Sequence, residues 1–122
     1  MSKCRNKRRV SAHQTNDCNR AISVFAYGPI TTGSAQGRYL IQYAKKRAVL
    51  KFHSGDPRSG VNGITHEVLL AILADRIEGM QASKFAHPLN AQALSHVRSA
   101  LRCLEDRTAE RLQRGVEGTQ EV

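Results

Sequence analysis

Three arginines near the C-terminal end, Arg107, Arg111 and Arg114 in the run DRTAERLQRGVEGT, are spaced four and three residues apart. Side chains at those intervals are neighbours on a helix surface, so the three cations share one stripe that stops at Gly115. The stripe has a plain structural explanation in part. Cations near a helix C-terminus are favoured by the helix dipole, and Glu110 with Arg114 makes a well-oriented i,i+4 pair. Arg107 and Arg111 differ, because like charges at i,i+4 cost stability. An anion is therefore expected beside them, and either a partner carboxylate or a phosphate group of a ligand answers. Asn90 is a second candidate. Its place just after Pro88 suits a helix N-cap or first-turn residue, and its amide suits a hydrogen-bonding reader of a base or ribose.

Other chemistries lack their residues. The five histidines form no HExxH, no Ser-His-Asp order is present, and no glycine-rich phosphate loop occurs. Cys4, Cys18 and Cys103 are odd in number and widely spaced, which implies a reducing compartment rather than a disulfide framework. Cys4, His13 and Cys18 match no zinc-finger spacing. The carboxylates that fall close together, Asp75 with Glu78 and Glu105 with Asp106, are expected on solvated helix faces. The expectation is a binding protein with no metal, cofactor or catalytic group. No apolar run approaches the roughly 18 residues of a membrane span, and the start MSKCRNKRR is not followed by a signal-peptide core.

Elements that would position these residues follow from periodicity. Residues 1–20 are basic and nearly devoid of apolar side chains, which predicts a disordered tail, with an arm on phosphates as the functional alternative. AISVFAY, 21–27, reads as a strand stopping at Gly28-Pro29. Tyr39, Ile41 and Tyr43 alternate with Leu40, Gln42 and Ala44, and Val49, Lys51 and His53 alternate with Ala48, Leu50 and Phe52, which predicts two more strands. KKR at 45–47 fits a turn or a protected edge. GDPRSGVNG, 55–63, is dense in turn residues and marks the main boundary, so the β-rich part spans 21–58 and a helical part 59–122. Within the latter, Gly60-x-x-Gly63 reads as a turn signal. Thr65 is the expected N-cap of a helix over about 65–80, carrying Val68, Leu69, Ile72, Leu73, Ile77 and Met80. Pro88 opens a longer helix with Leu94, Val97, Leu101 and Leu104, capped by Gly115. The short connection makes the two helices antiparallel neighbours. The fold class is α+β: a small antiparallel β part, then a two-helix antiparallel hairpin that oligomerises.

The charge is uneven. Residues 1–58 hold twelve Lys/Arg against Asp17 and Asp56, whereas 59–122 hold seven against eight acids, within a net charge of +9. Such asymmetry points to a polyanionic partner.

The run GVNGITHEVLLAILADRIEGMQASKFAHPLNAQALSHVRSALRCLEDRTAERLQRGVEGT resembles the helical hairpin domain of phage anti-defence sponges. The landmarks are Asn62-Gly63 before the first helix, LLAILADRIEGMQ, Phe85-Ala86 ahead of Asn90-Ala91, then Ala93-Leu94 and DRTAERLQRGVEGT. They cover about half of the chain, from the end of the Phe52 strand to Thr119. Among these sponges the chain is most similar to the Thoeris anti-defence group. That resemblance implies non-enzymatic sequestration of a cyclic ADP-ribose isomer made by bacterial TIR proteins. It extends to relatives that bind CBASS cyclic oligonucleotides at a separate site. It places the pocket on Met80, Asn90, Arg107 and Arg111. Met80 departs from the family, which has an aromatic residue there: its sulfur can pack against adenine but cannot stack as a ring does.

Geometry adds a constraint. Asn90 and Arg111 lie 21 residues apart on one helix, about 31 Å at 1.5 Å per residue. A pocket using both must form between antiparallel copies, and a symmetric dimer would carry two such pockets. The expected partners are the cyclic nucleotide and a second copy of the chain, as a homodimer or a larger assembly such as a hexamer, in the cytoplasm of an infected bacterium. A small basic nucleic-acid-binding protein is the less favoured alternative, since Tyr27, Tyr39 and Tyr43 form no recognised base-stacking motif. A plain assembly protein is the third.

Overall fold

A computed structural model describes residues 7–115 and divides the chain into two compact units, Met1–Ile64 and Thr65–Val122. The class is α+β.

The first unit is built on a four-stranded antiparallel sheet in sequential order: β1 (Arg8–Val10), β2 (Ser23–Thr32), β3 (Ala35–Tyr43) and β4 (Lys46–Lys51). A short helix, α1 (Asp17–Arg20), connects β1 to β2. Asn16 caps it by accepting the Asn19 N–H at 2.9 Å. The stretch expected to be a tail is thus part of the fold from Arg8 onward. Arg8, Arg9 and Val10 pair with Ala26, Phe25 and Val24. A polar strand gains little from burial, but β2 offers it an open ladder, and His13 and Gln14 fasten the return by bonding the Ile22 carbonyl at 2.7 and 3.2 Å. Residues 1–6 of the expected tail lie outside the described residues.

β2 does not stop at Gly28-Pro29. It runs on to Thr32 through a register shift between Tyr27 and Ile30. Gly28 takes φ +82°, which a bulge requires and glycine permits. Pro29 lies beyond the reach of the three-residue β1, where its missing N–H breaks no β1–β2 ladder bond. The β3–β4 turn is Ala44-Lys45, both with positive φ (46° and 63°), the two-residue hairpin geometry that normally selects Asn-Gly. Lys45 is therefore the turn residue, while Lys46 and Arg47 begin the edge strand.

Alternation sends Val24, Ala26, Tyr39, Ile41 and Leu50 to one face of the sheet, where Ala26 is fully buried. Phe52 continues that face and meets Tyr39 edge to face, with ring centroids 5.6 Å apart. After Phe52 the chain passes through a 3-10 turn, Pro57–Ser59, and returns so that Ile64 forms a parallel bridge with Phe52.

The second unit holds α2 (His66–Gln81) and α3 (Pro88–Arg114), joined by six residues. Thr65 caps α2 by accepting the Val68 N–H at 3.2 Å. Gly115, at φ 72°, closes α3. The helices pack against each other, with Glu78 bonded to Arg98. The Gln81 amide holds the connection by accepting the His87 N–H at 2.9 Å and donating to the His87 carbonyl at 3.1 Å.

Candidate ligand site

α3 is one uninterrupted helix of 27 residues, so Asn90 and Arg111 occupy opposite ends of it. The four expected site residues fall into two pairs. Met80 and Asn90 belong to the end where α2 hands over to α3. Arg107 and Arg111 belong to the last turns of α3. Within one chain the two pairs do not meet, because the helix between them measures about 31 Å.

At the first end, the N-cap of α3 is His87, whose Nδ1 accepts the Leu89 N–H at 3.0 Å. Asn90 is therefore a first-turn residue and not the cap. Its half-exposed amide makes no hydrogen bond among the described residues and is available to a ligand. Met80 is 41% exposed. Its carbonyl accepts the Ser83 hydroxyl at 2.6 Å, which pins the turn following α2. On this side of the pair lies an open cleft of about 400 Å³ lined by Gln81, Leu94, Ser95, Arg98, Ser99 and Arg102. Leu94 lines it beside the hydroxyls of Ser95 and Ser99 and the guanidiniums of Arg98, which is paired with Glu78, and Arg102. That lining was readable from the interleaved spacings Ser95/Ser99 and Arg98/Arg102, a pattern overshadowed by the stripe further along.

At the second end, the three arginines separate in role. Arg114 bonds Glu110 at 2.8 Å, as their spacing predicts. Both side chains are about half exposed, so the pair contributes roughly 0.3–0.5 kcal/mol. Arg107 is exposed. Arg111 is only 7% exposed and is engaged in an interaction of its own. A guanidinium held this way is fixed in place before any ligand arrives, while Arg107 keeps its full fork open to solvent.

The turn before α2 is stiffened by side chains bonding to backbone. Asn62 accepts the Ser54 N–H at 2.9 Å and donates to the Ser54 carbonyl at 2.8 Å. The His53 ring joins this loop, Nδ1 accepting the Asn62 N–H at 3.2 Å while Nε2 faces the Gly55 carbonyl at 3.0 Å, an arrangement that suits the Nε2–H tautomer. Asp56 grips Arg58 through paired bonds of 2.8–3.1 Å, and those side-chain bonds hold the Asp56 carboxyl below the ordinary aspartate range. Gly63, expected only as a turn residue, sits where a Cβ would lie 2.5–2.6 Å from backbone atoms of Lys51, Phe52 and His53.

Val68, Ile72 and Leu73 on α2 and Leu89 and Leu112 on α3 are 44–64% exposed. Leu94 is the sole buried apolar residue among those described in this unit. Among the described residues no helix is long and apolar enough to cross a membrane.

No family model matches the chain. Thoeris anti-defense 1 of Bacillus phage SBSphiJ7 is 42% identical to it over 80 residues, which make up 65% of this chain. The match spans 56% of that relative's own length, little more than half.

Proposed function

We propose, from the 42% identity over 80 residues to Thoeris anti-defense 1, that the chain is a member of the Thoeris anti-defence family and a phage anti-Thoeris protein acting as a non-enzymatic sponge. It sequesters the cyclic nucleotide signal, a cyclic ADP-ribose isomer, without cleaving it. The observation that carries this reading is the length of α3. Asn90 and Met80 can bind the nucleoside part, and Arg107 and Arg111 the pyrophosphate, only if the ends of two helical hairpins from different copies meet. The exposed apolar residues of α2 and α3 favour such a pairing, since Val68, Ile72, Leu73, Leu89 and Leu112 are each 44–64% exposed. In the assembled pocket Arg107 supplies charge-assisted bonds to phosphate oxygens and Arg111 a fixed positive charge. Asn90 reads a base or ribose, and the Met80 thioether covers the adenine. Sequestration is stoichiometric, and it succeeds when the signal prefers this protein to the host effector. CBASS cyclic oligonucleotides are a further ligand class for the family's separate site.

Isothermal calorimetry with cyclic ADP-ribose isomers tests the reading. One isomer should bind with the nucleotide recovered intact, and Arg107→Ala should weaken binding by roughly 10- to 150-fold, the loss of a charged hydrogen bond. Because Arg107 is exposed, this variant should keep the oligomer size of the parent. No binding by any isomer at micromolar protein would refute the proposal.

A further inference from the structure

The sheet has a second face, and its composition is unlike the first. Register puts Arg9, Phe25, Leu40 and Val49 in one cross-strand row and Tyr27, Arg38 and Lys51 in the next, with Arg47 opposite Gln42 beside them. Lys7 and Arg9 both lie over the Phe25 ring, at 4.2 and 5.4 Å from its centroid. Five cations therefore share a face with two half-exposed aromatic rings. No carboxylate of residues 1–64 is left for them: Asp17 is bonded to Arg20 and Asp56 to Arg58.

Protection of sheet edges against aggregation accounts for cations on β1 and β4. It does not account for Arg38, which stands on the interior strand β3 directly opposite Lys51. Like charges facing each other across a ladder are destabilising. An external anion relieves that cost, as does none of the chain's own acids in this unit.

We propose that this face of the sheet binds single-stranded nucleic acid, its phosphates on Arg38, Lys51, Arg47 and Arg9 and a base on Tyr27, beside the Phe25 ring that Lys7 and Arg9 cover. A single strand fits because its bases are free to stack on side-chain rings, whereas those of a duplex are already stacked on one another. A row of cations flanking aromatics on an open sheet offers both parts of that recognition without reading sequence. The residues are separate from Met80, Asn90, Arg107 and Arg111, so the site stands whether or not the sponge reading holds.

Fluorescence anisotropy of the full chain with a labelled oligothymidine of about twelve nucleotides is the test. Binding should weaken with salt, with a log–log slope of up to about −3.5 if all five cations neutralise phosphates at about −0.7 each. Tyr27→Ala should weaken it roughly 5- to 150-fold through lost stacking. Arg38→Ala with Lys51→Ala should flatten the slope by about 1.4 while melting at or above the parent temperature, which shows that the loss is not unfolding. Arg107→Ala should leave oligonucleotide binding unchanged. The proposal fails if duplex DNA or anionic vesicles compete as well as the single strand, if the sheet variants bind like the parent, or if Arg107→Ala abolishes the signal.

Discussion

Replacing Gly63 by alanine adds one methyl group where three backbone atoms already stand. The Cβ would lie 2.5 Å from the Phe52 carbonyl carbon and 2.6 Å from both the His53 nitrogen and the Lys51 oxygen. None of these is a side chain that can swing aside. Two of them belong to the bridge that returns the chain to the sheet, in which Ile64 N–H donates to the Lys51 carbonyl at 2.8 Å and His53 N–H donates to the Ile64 carbonyl at 2.8 Å. To make room, the 63–64 segment must shift by several tenths of an ångström, stretching both bonds. Overpacking of this kind costs about 1–3 kcal/mol. Loss of both hydrogen bonds would cost about 2 kcal/mol, which agrees in scale. The opposing gain, lower entropy of the unfolded chain, is about 0.4–1 kcal/mol. The net loss is therefore up to about 2.6 kcal/mol, or a melting temperature lower by up to about 10 °C at about 4 °C per kcal/mol for a chain of this size. Gly79→Ala is the matched control. Nothing lies within 4 Å of its added Cβ, and Gly79 is inside α2, so alanine should stabilise by up to about 1 kcal/mol. Thermal unfolding followed by circular dichroism compares the three proteins. If Gly63→Ala melts at or above the parent while Gly79→Ala behaves as stated, the close approach at Gly63 is not what selects glycine.

Three other outcomes follow from the same geometry. His87→Ala removes the N-cap of α3, which should cost about 1 kcal/mol in thermal or denaturant unfolding, and His87→Asn should restore most of it. Ile72→Glu places a charge on the exposed apolar side of α2, and sedimentation analysis should then show the proposed assembly reduced to monomers without loss of helix content. The Asp56 carboxyl, held down by its bonds to Arg58, should titrate by NMR below the ordinary aspartate value, and Arg58→Ala should return it upward. Because the folded value is the lower one, the contribution is full above the unfolded pKa and is lost as pH falls through the folded pKa.

Features with local causes were legible in the sequence. Thr65, Pro88 and Gly115 each act within one helical turn of their own position, and each stands at the boundary expected of it. The alternation through 39–43 and 48–52 gave the sheet faces, because pleat fixes direction whatever the partner strand. Features decided across the chain were not legible. Arg8–Val10 joins the sheet through the free ladder of β2 and not through its own polar side chains. β2 passes Gly28-Pro29 because a bulge absorbs the glycine and short β1 leaves the proline unchallenged. The N-cap falls on His87, whose ring can accept a hydrogen bond that composition alone would have assigned to Asn90. At the candidate site, the spacing of Arg107, Arg111 and Arg114 identified Arg114 as Glu110's partner, but it gave no sign that Arg111 is buried and Arg107 is not.

The central claim is that the pocket is divided between two copies, and mixing impaired subunits tests it most directly. Asn90→Ala and Arg107→Ala proteins should each bind the cyclic nucleotide much more weakly than the parent. Unfolded, combined in equal amounts and refolded together, they should regain tight binding. Half of random dimers are mixed, and each mixed dimer has one of two pockets intact, so about one quarter of the parent's sites should return. Calorimetric stoichiometry near that fraction, with parental affinity, is the predicted result. A mixture that binds no better than its separate components, although mixed dimers form, would contradict it.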